Sequence, residues 1–314
     1  MRILVTGGAG FQGSHLIERL LKRGHAVMSL NTPSATAIKN LAPLRNRIEA
    51  VWGSITDAEI VSKAVRDQDV VFHLAAYVNV DESLLHPETV IATNVLGSMN
   101  VLNAVRKAGN RLILVSSCEA YGDGHVGKDA LKETAELRPN SPYAASKAAV
   151  DRIAHAYYRS FGVDVTIIRP FNIFGERQKS GTFGALIPRM VSAAMAGNNL
   201  TVFGDGKQER DYTYISDIID AYDIVLNRKD LSGKIINFGS GKSTRIIDIA
   251  TYVAKKLRVD VVHADARPGE VKRFIGDSTF AKSLGWSPRV NIYVGIDRYI
   301  KWAKSLAVDA HQSN

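Results

Sequence analysis

Strand-like and helix-like segments alternate through the first half of this 314-residue chain. Short apolar runs bounded by turn residues predict strands at 2–6, 26–30, 48–52, 69–74, 111–116 and 163–169. Helical periodicity fills most of the intervals, at 12–23, 57–66, 87–108 and 143–161. Parallel strands need a crossover connection, usually a helix, whereas antiparallel strands can turn back within two residues. The alternation therefore predicts an α/β fold built on a doubly wound parallel sheet.

A glycine-rich turn, TGGAGFQG at residues 6–13, joins the first predicted strand to the first helix. Gly7, Gly10 and Gly13 allow a tight turn, close approach of the backbone to a diphosphate, and close packing of the helix on the strand. The N-terminus of the helix adds free N–H groups and the positive end of the helix dipole. This context predicts a Rossmann site for a dinucleotide cofactor.

The regular alternation ends after Pro170, which indicates a second, less regular unit. A loop-rich stretch is followed by helical patterns near 185–197, 246–257 and 293–306 and by a strand-like run at 235–238. We expect residues 1–170, with parts of 213–240, to form the cofactor-binding domain. Residues 171–314 should form mainly a smaller α/β domain that binds the substrate, in keeping with a length that suggests about two domains.

Charge and cysteine content narrow the class of protein. Forty basic and 31 acidic residues give a net charge of +9, and the basic residues are scattered rather than gathered in a tail. This pattern suits a pocket for a phosphate-bearing small molecule better than a nucleic-acid surface. A single cysteine excludes an internal disulfide and a cysteine-based metal cluster, so we predict no metal site and expect a cytoplasmic location. The chain shows neither a secretory-signal layout nor an apolar run long enough for a bilayer, so we expect no membrane partner.

The end of the second strand is where a Rossmann protein reads the adenosine ribose of its cofactor. An acidic residue there binds the ribose hydroxyls and disfavours a 2′-phosphate. This chain has Asn31 instead, which can bind hydroxyls but does not repel phosphate, and Lys39 and Arg45 are the nearest cations in sequence. The pattern favours NAD and leaves NADP open.

Tyr143 and Lys147 lie one helical turn apart in SPYAASK, so they share a helix face. A free tyrosine, with a pKa of about 10, is a poor base at neutral pH. A nearby ammonium group and an oxidised nicotinamide ring both favour the phenolate, which can take a proton from an alcohol. The pair alone is a weak signal, but with the glycine turn it predicts a dehydrogenase-type site.

The stretch SSCEAYG, residues 116–122, follows a predicted buried strand and presents hydroxyls, the only cysteine and a carboxylate. Carboxyl ends of parallel strands form the ligand edge of such a sheet. An ionisable carboxylate at this edge is costly unless it is used or paired. We therefore interpret Ser117, Cys118 and Glu119 as part of an active-site strand end.

The combined motifs resemble the extended short-chain dehydrogenase/reductase family, specifically its NAD-dependent sugar-nucleotide epimerases and dehydratases. The resemblance covers essentially the whole chain. Besides the turn, SSCEAYG and YAASK, it rests on HLAA at 73–76, Asn94, RPFNIFG at 169–175, QERDYTYISD at 208–217 and RPGE at 267–270.

The resemblance implies a role for individual residues. Tyr143 would be the base, Lys147 would bind the nicotinamide ribose and bias Tyr143 toward its charged form, and Ser117 would bind the sugar oxygen that is oxidised. Contacts to the cofactor are implied for Gly7, Gly10, Phe11, Gln12, Gly13, Asn31, Ser54, Ile55, Leu74, Ala75, Ala76, Val78, Asn94, Tyr143, Lys147 and Pro170. Ser54 stands where many members have an aspartate near the adenine, so it is a departure from the pattern, as is Asn31.

The implied substrate is a nucleotide sugar carrying UDP, dTDP, GDP or CDP. Its diphosphate would be held by Asn172, Arg210 and Arg267, and arginine suits this task because its planar fork of donors matches phosphate oxygens. Members of the family first oxidise a sugar hydroxyl, usually at C4, through a 4-keto intermediate.

Glu119 distinguishes the possible reactions. Epimerases of the family generally have a non-acidic residue two positions before the tyrosine of this loop, whereas dehydratases and decarboxylases have a glutamate. Glu119 would remove the C5 proton, so that water is lost by 4,6- or 5,6-elimination. Cys118 stands where dehydratases often have aspartate or serine, and it is either a weak proton donor or a packed thiol.

Several alternatives stay open beside the NAD-dependent dehydratase. One is an NDP-hexose 4-epimerase similar to UDP-glucose 4-epimerase, and another is a UDP-glucuronate decarboxylase. A protein that keeps the fold as a cofactor-binding scaffold or regulator is the non-enzyme alternative, against which the intact Ser117, Glu119, Tyr143 and Lys147 argue.

The resemblance also implies a homodimer formed through the helices near 87–108 and 143–161. Val95, Val101, Leu102 and Val105 recur at spacings that suit either the core or a partner.

Overall fold

The computed structural model describes residues 1–78, 80–122, 130–180, 184–266 and 272–312, with side chains in the last helix as far as residue 306. The strands are β1 Arg2–Thr6, β2 Ala26–Asn31, β3 Glu49–Trp52, β4 Val70–His73, β5 Arg111–Val115, β6 Val165–Pro170, β7 Ile173–Phe174, β8 Leu200–Phe203, β9 Glu209–Arg210, β10 Thr213–Tyr214, β11 Ile235–Phe238, β12 Thr244–Arg245, β13 Val261–Ala264 and β14 Arg273–Phe274. The helices are α1 Phe11–Lys22, α2 Ala35–Leu41, α3 Ala58–Val65, α4 Val80–Leu85, α5 Pro87–Ile91, α6 Gly97–Ala108, α7 Pro142–Phe161, α8 Leu186–Met195, α9 Ile215–Leu226, α10 Ile246–Leu257, α11 Thr279–Ser283 and α12 Ile292–Gln312.

Seven parallel strands form the main sheet, in the order β11-β6-β5-β4-β1-β2-β3. The predicted doubly wound α/β fold is confirmed. The central strands are buried along their length because helices cover both faces, which explains their continuous apolar runs. β1 and β4 are neighbours in the sheet, but the strands that follow β1 lie on one side of this pair and the strands that follow β4 lie on the other. The strand order therefore reverses between β1 and β4.

The last strand of this sheet comes from the second half of the chain. β11 pairs in parallel with β6, with Ile235 opposite Ile167. Helix α9, which the periodicity did not predict, packs against α1. Both elements agree with the expectation that parts of 213–240 join the first domain, while the boundary at residue 170 stays a prediction.

Small strand pairs build the rest of the second half. β9 lies between β12 and β14, β8 pairs with β13, and β7 pairs with β10. Asn172 follows directly on the carboxyl end of β6, and Arg210 ends β9 near Glu119, so both residues lie at the ligand edge of the main sheet. In the described part of the chain, no helix combines the length and apolar character needed to cross a bilayer.

A buried ion pair fastens α7 to β6. Arg169 is 1% exposed, and its guanidinium donates to both carboxylate oxygens of Asp151, at 2.7 and 2.9 Å. Burial raises the pKa of the Asp151 carboxyl, but the bonds and charge of Arg169, helped by Arg152, lower it by more. The net pKa of Asp151 is therefore below its ordinary value, and the pair stays charged inside the protein.

We expect Arg169→Met to lower the free energy of unfolding by about 3–5 kcal/mol, because it leaves a buried carboxylate without its main partner. Urea denaturation would measure the change. Arg152→Met is the matched control: Arg152 also bonds Asp151, but its side chain is 49% exposed, so its removal should cost about 0–1 kcal/mol.

The double variant Arg169→Met, Asp151→Leu removes both charges and should recover much of the loss. If Arg169→Met and Arg152→Met lower the free energy of unfolding equally, the buried position of Arg169 adds nothing to its contribution to stability.

Candidate active site

The glycine turn lies at the carboxyl end of β1, where the strand order reverses. Gly7 has a positive φ of 71°, and a Cβ added there would come within 2.8 Å of the backbone of Ala75. A Cβ at Gly13 would lie 2.3 Å from the Gly7 carbonyl oxygen. Both glycines are therefore needed for the close contacts between β1, α1 and the loop after β4.

Gly10 has a different reason to be glycine. It is exposed, and a Cβ there would meet only the Gly7 carbonyl oxygen, at 3.1 Å. It occupies the N-cap of α1, and no described side chain caps the first turn, which includes Phe11, Gln12 and Gly13. The N–H groups at this helix end suit an anion, and the open cradle fits the diphosphate of a dinucleotide. The Gln12 side chain itself accepts a hydrogen bond from Tyr222.

Asn31 ends β2 beside this turn, but its side chain is engaged within the protein. Its Oδ1 accepts from the Ala9 N–H at 2.6 Å, and its Nδ2 donates to the Ser29 hydroxyl at 2.8 Å. Asn40 donates to the Ala9 carbonyl at 2.9 Å. The two amides thus hold the Ala9 peptide from both sides, and a ribose contact from Asn31 would have to share these partners.

Ser54 and Ile55 follow β3 on the same edge, and their implied contacts with the cofactor stay a prediction. The Ser54 hydroxyl bonds Thr56, and Ile55 is buried, with its carbonyl accepting from Asn100 at 3.0 Å. They flank the region beyond β2 rather than the catalytic side chains.

The loop after β4 is held by a chain of hydrogen bonds that begins at Thr6. The Ala75 N–H donates to the Thr6 hydroxyl at 3.2 Å, and the same hydroxyl shares a hydrogen bond of 2.7 Å with Nδ1 of His73. His73 Nε2 shares a further hydrogen bond of 2.8 Å with the Ser98 hydroxyl on α6. Burial, with the charge of Lys147, lowers the pKa of His73 to about 3, so the ring is neutral and keeps this arrangement. Leu74, Ala75 and Ala76 are partly buried, whereas Val78 is 67% exposed.

Asn94 joins this loop to α7. It lies in a π-helical segment, Ala92–Leu96, and its amide bonds both polar groups of the Tyr77 backbone and the Ser146 hydroxyl. π-Helical turns occur often at functional sites because they redirect a side chain. Here the turn brings the buried Asn94 to the strand-end loop that the sequence assigned to the cofactor.

Lys147 and Ser116 line a recess between the β4 loop and β5, together with Ala75, Ala76 and Asn94. The Lys147 ammonium donates to the Val115 carbonyl at 3.1 Å, and burial lowers the pKa of this lysine to about 8. The buried Ser116 hydroxyl has no partner among the described residues. The recess has a volume of about 10 Å³, which is enough for one water and too small for a ribose, so the implied contact of Lys147 with the nicotinamide ribose stays a prediction. Pro170 is buried at the end of β6.

Ser117, Glu119 and Tyr143 come together at the carboxyl end of β5. Ser117 caps the short 3₁₀ turn Cys118–Tyr121 by accepting from the Glu119 N–H at 3.2 Å, and its hydroxyl lies near the Tyr143 phenol. Burial raises the pKa of Tyr143, and the negative charge of Glu119 raises it further, while the nearby Ser117 hydroxyl acts against both. The three side chains are thus close enough to influence one another's ionisation, as a catalytic group requires.

Glu119 faces a cation as well. Burial raises the pKa of its carboxyl, and the nearby charge of Arg210 acts in the opposite direction. The net pKa lies above the ordinary value, which moves Glu119 toward the range in which a carboxylate serves as a general base.

Cys118 packs as an apolar group. It is 2% exposed in a cluster with Tyr121, Leu131, Phe171 and Phe274. Burial raises the pKa of its thiol, and Glu119 raises it further, so the thiol stays neutral. This environment favours the packed-thiol interpretation over a chemical role.

Two of the predicted substrate residues, Asn172 and Arg210, lie at the junction of the two halves. The Asn172 side chain donates to the Asp211 carbonyl at 3.1 Å, and Arg210 lies near both Glu119 and Cys118. Arg267 lies outside the described residues. The buried Asp211 carboxylate accepts from Ser240, Gly241 and Gly276, which fixes the loops around Arg210.

Sequence reasoning missed several residues that position this site. His73, Arg169 and Asp211 stand in the quoted motifs, but their roles depend on partners about 30 to 70 residues away, Thr6, Tyr121 and Gly241 among them. The sequence signal that could have identified these residues is a polar side chain within an otherwise apolar strand end, because a buried polar group needs a hydrogen-bond partner.

Comparisons with known proteins identify the family. The model of the NAD dependent epimerase/dehydratase family matches residues 3–239. A putative UDP-glucose 4-epimerase from Methanocaldococcus jannaschii is 32% identical, over 96% of this chain and 98% of its own. A UDP-N-acetyl-alpha-D-glucosaminuronate decarboxylase from Bacillus cytotoxicus is 35% identical, over 98% and 99%.

A solved structure agrees with these sequence matches. The dTDP-glucose 4,6-dehydratase DesIV from Streptomyces venezuelae, with NAD bound, superposes with a TM-score of 0.89 at 33% identity, over 97% of each chain. This chain therefore belongs to the NAD dependent epimerase/dehydratase family, and it is an enzyme of that family with NAD as the cofactor.

We expect Tyr143→Phe to fold and to bind NAD but to lose turnover by about 10²–10⁴-fold, because only the proton-accepting hydroxyl is removed. Calorimetric NAD binding and turnover of whichever nucleotide sugar the parent converts would test this. Tyr157→Phe, on the same helix but bonded to Asn103, is the matched control and should keep its turnover. Near-parental activity of Tyr143→Phe would exclude Tyr143 as the base.

Proposed function

We propose that this member of the family is an NDP-sugar dehydratase that works through a 4-keto intermediate. The observation that carries the proposal is the position of Glu119: a partly buried carboxylate close to the Tyr143 phenol and the Ser117 hydroxyl. Epimerisation at C4 needs no additional base, whereas elimination of water needs a group that removes the C5 proton.

Tyr143 and Ser117 would act on the C4 hydroxyl. The Tyr143 phenolate would accept the hydroxyl proton, and Ser117, whose hydroxyl lies near the Tyr143 phenol, would donate to the sugar oxygen and hold it in line. When bound, NAD supplies the redox chemistry, accepting a hydride from the sugar carbon and returning it later. Lys147 would bind the nicotinamide ribose, as the resemblance implies, and Asn94 would hold the loop beside it through its bonds to the Tyr77 backbone.

Glu119 would act after C4 is oxidised. The ketone acidifies the hydrogen on C5. The Glu119 carboxylate would take that proton and pass it to the departing C6 hydroxyl, so that water leaves and a C5–C6 double bond forms. Its raised pKa, caused by burial, suits this task because a stronger base drives proton transfer better than an exposed glutamate does.

The diphosphate of the substrate would be held by Arg210 and Asn172, with Arg267 as a further proposed ligand. Arg210 would bind the diphosphate and also face the Glu119 carboxylate, because its guanidinium lies near Glu119 at the end of β9. The relatives act on UDP- and dTDP-sugars according to their names, and the chain's own choice among UDP-, dTDP-, GDP- and CDP-sugars forms part of the test below.

A 4-epimerase is the second candidate, and the proximity of Glu119 to Arg210 favours it. A carboxylate whose charge is balanced by an arginine can serve to orient that arginine toward the diphosphate without touching C5. The relative from Methanocaldococcus jannaschii bears an epimerase name, and the one from Bacillus cytotoxicus a decarboxylase name. Incubation with a panel of nucleotide sugars and mass spectrometry separates the reactions by loss of water, loss of carbon dioxide, or unchanged mass.

We expect Glu119→Gln to keep C4 oxidation and to lose elimination by about 10²–10⁴-fold, because shape is kept and the base is removed. Each tenfold loss corresponds to about 1.4 kcal/mol of barrier. The variant should accumulate reduced cofactor, visible by absorbance, and should exchange little C5 hydrogen with heavy water. Glu136→Gln, an exposed glutamate paired with Arg138, is the control and should behave as the parent does.

An epimerase gives a different pattern in the same assay. The parent enzyme would then take up no solvent deuterium at C5, and product and substrate would have equal mass. If this result is obtained with a confirmed substrate, the proposed dehydratase function would be wrong and the 4-epimerase function would take its place.

We also propose that the protein is a homodimer formed through the helices near 87–108 and α7, as the sequence suggested, with the preceding helix α4 beside them. The four valine and leucine residues that the sequence suggested for this interface fall into two groups. Val101, Leu102 and Val105 are buried in the core, and Val95 is partly buried. Other apolar side chains of the same region are exposed, namely Leu84, Leu85, Ile91 and Leu96, at 40–64%. A row of exposed apolar groups beside α7 is typical of a surface covered by a second copy.

We expect the parent to scatter light as a dimer and the double variant Ile91→Glu, Leu96→Glu to scatter as a monomer at micromolar concentration. Both side chains are exposed in the single chain, so the fold should survive, which circular dichroism would verify. Val262→Glu changes an apolar residue of similar exposure on β13 and should leave the mass unchanged. A monomeric parent protein would refute the proposal.

A further inference from the structure

A short turn follows Asn172, one of the proposed substrate ligands. We call residues 173–178 the β7 turn, because they contain β7 and then fold back on it. The Gln178 N–H donates to the Gly175 carbonyl at 3.3 Å, and the Gln178 side chain donates to the Ile173 carbonyl at 2.9 Å. Asn172 lies directly before this closed turn, so the position of the turn sets the position of Asn172.

Two polar contacts seat the β7 turn on α1, the helix whose N-terminus forms the cofactor's diphosphate cradle. Arg177 donates through Nη2 to the Glu18 carboxylate at 2.5 Å, and the two side chains are 22% and 33% exposed. His15 Nε2 donates to the Glu176 carbonyl at 3.0 Å. Burial and the charge of Arg177 lower the pKa of His15, so the ring is neutral and keeps one N–H for this bond.

The junction between the β7 turn and α1 is incompletely packed. A cavity of about 370 Å³ lies beside the ion pair and is lined by Glu18, Arg177, His15, Glu176 and, from α12, Trp302 among others. Because side chains leave this space unfilled, the ion pair and the histidine bond, rather than apolar packing, hold the turn on the helix.

Arg177 adopts an unfavourable backbone conformation where it meets Glu18. Its φ is 66°, in the left-handed region that favours glycine. Its other terminal nitrogen, Nη1, is buried and has no hydrogen-bond partner among the described residues. Both features cost free energy, and strained residues of this kind are concentrated at active sites and ligand clamps. The strain therefore points to a role for Arg177 beyond that of a surface charge.

The β7 turn is also bonded to the segment that carries Arg210. β7 pairs in parallel with β10, which begins shortly after Arg210. The Tyr214 hydroxyl donates to the Glu176 carboxylate, and the Asn172 side chain donates to the Asp211 carbonyl at 3.1 Å. The turn thus contacts the proposed diphosphate ligands on one side and the helix of the cofactor site on the other.

We propose that Glu18 and Arg177 are positioning residues for the nucleotide sugar: their ion pair holds the β7 turn on α1 and so fixes Asn172 and Arg210 relative to the cofactor. Both residues act through the turn and not by touching the sugar or NAD. The proposal rests on the proposed function, in which Asn172 and Arg210 bind the substrate's diphosphate. It adds the contact that aligns this diphosphate site with the NAD site.

Calorimetric titration of the NAD-saturated protein with UDP, dTDP, GDP and CDP measures the diphosphate site without any sugar chemistry. We expect Glu18→Ala to weaken the tightest of these nucleotides about tenfold, because the β7 turn loses its fixed position. NAD affinity should stay within about twofold, since Glu18 lies about 12 Å along α1 from its N-cap. With a substrate that the parent converts, KM should rise by the same factor while kcat changes little.

Arg177→Asn tests the other half of the ion pair. Asparagine takes the left-handed conformation more readily than arginine does, so the variant should fold, but its short side chain loses the contact with Glu18. It should weaken the nucleotide as Glu18→Ala does. The double variant should weaken it no further than either single variant, because all three remove the same ion pair. Losses that multiply in the double variant would show that the two residues act independently and would overturn the proposal.

Arg23→Gln is the matched control. Arg23 lies at the end of α1, and its ion pair with Asp223, at 3.3 Å, joins this helix to α9. We expect the variant to bind the nucleotide as the parent does. A loss equal to that of Glu18→Ala would mean that any weakened attachment of α1 has the same effect, and the specific role of the Glu18–Arg177 pair would be refuted.

Arg210→Gln separates the positioning role from the function on which it rests. This variant removes a charged donor to the diphosphate and should weaken the nucleotide at least about tenfold. If nucleotide binding does not depend on Arg210, the proposed diphosphate site is wrong and the positioning role falls with it. If Arg210→Gln weakens binding and Glu18→Ala does not, the diphosphate site stands and only the positioning role is wrong.

Discussion

The ion pair of Arg169 with Asp151 connects the parts of the catalytic site. Asp151 lies on α7, the helix that carries Tyr143 and Lys147, and Arg169 lies on β6. Arg169 also donates to the Tyr121 hydroxyl at 2.9 Å, and Tyr121 closes the turn that contains Glu119. One buried guanidinium therefore sets the distance between the helix with the proposed base and the strand end with the carboxylate. A lysine could not replace it, because the fork must reach both oxygens of Asp151 and the phenol together.

The sequence predicted the first six strands to within two residues because local signals define them. Each is a short apolar run that ends at turn residues, and such a run does not depend on distant partners. The helix α9 and the place of β11 were harder. α9 is apolar on most sides because it packs between α1 and the second half, so its periodicity is weak. The pairing of β11 with β6 is a long-range contact that no local pattern encodes.

The residues of the site were easier to name than to orient. Ser117, Glu119 and Tyr143 do lie together, as their positions after β5 and at the start of α7 suggested. The direction of Asn31 could not be predicted, since it depends on the Ala9 peptide and on Ser29. Similarly, Lys147 donates to the Val115 carbonyl, a contact decided by the packing of α7 on β5. Composition shows which groups are present, but tertiary packing decides which bonds they form.

The ionisation of Tyr143 and Glu119 suggests how the proposed steps follow one another. Burial raises the pKa of both groups, and the charge of Glu119 adds to the rise at Tyr143, so the site disfavours two negative charges at once. A phenolate at Tyr143 therefore needs added positive charge nearby, such as that of an oxidised nicotinamide ring. When Tyr143 accepts the proton of the sugar hydroxyl, it becomes neutral, and the repulsion that opposes a charged Glu119 disappears. Oxidation at C4 would thus prepare the carboxylate for the C5 proton, which orders the two steps by electrostatics alone.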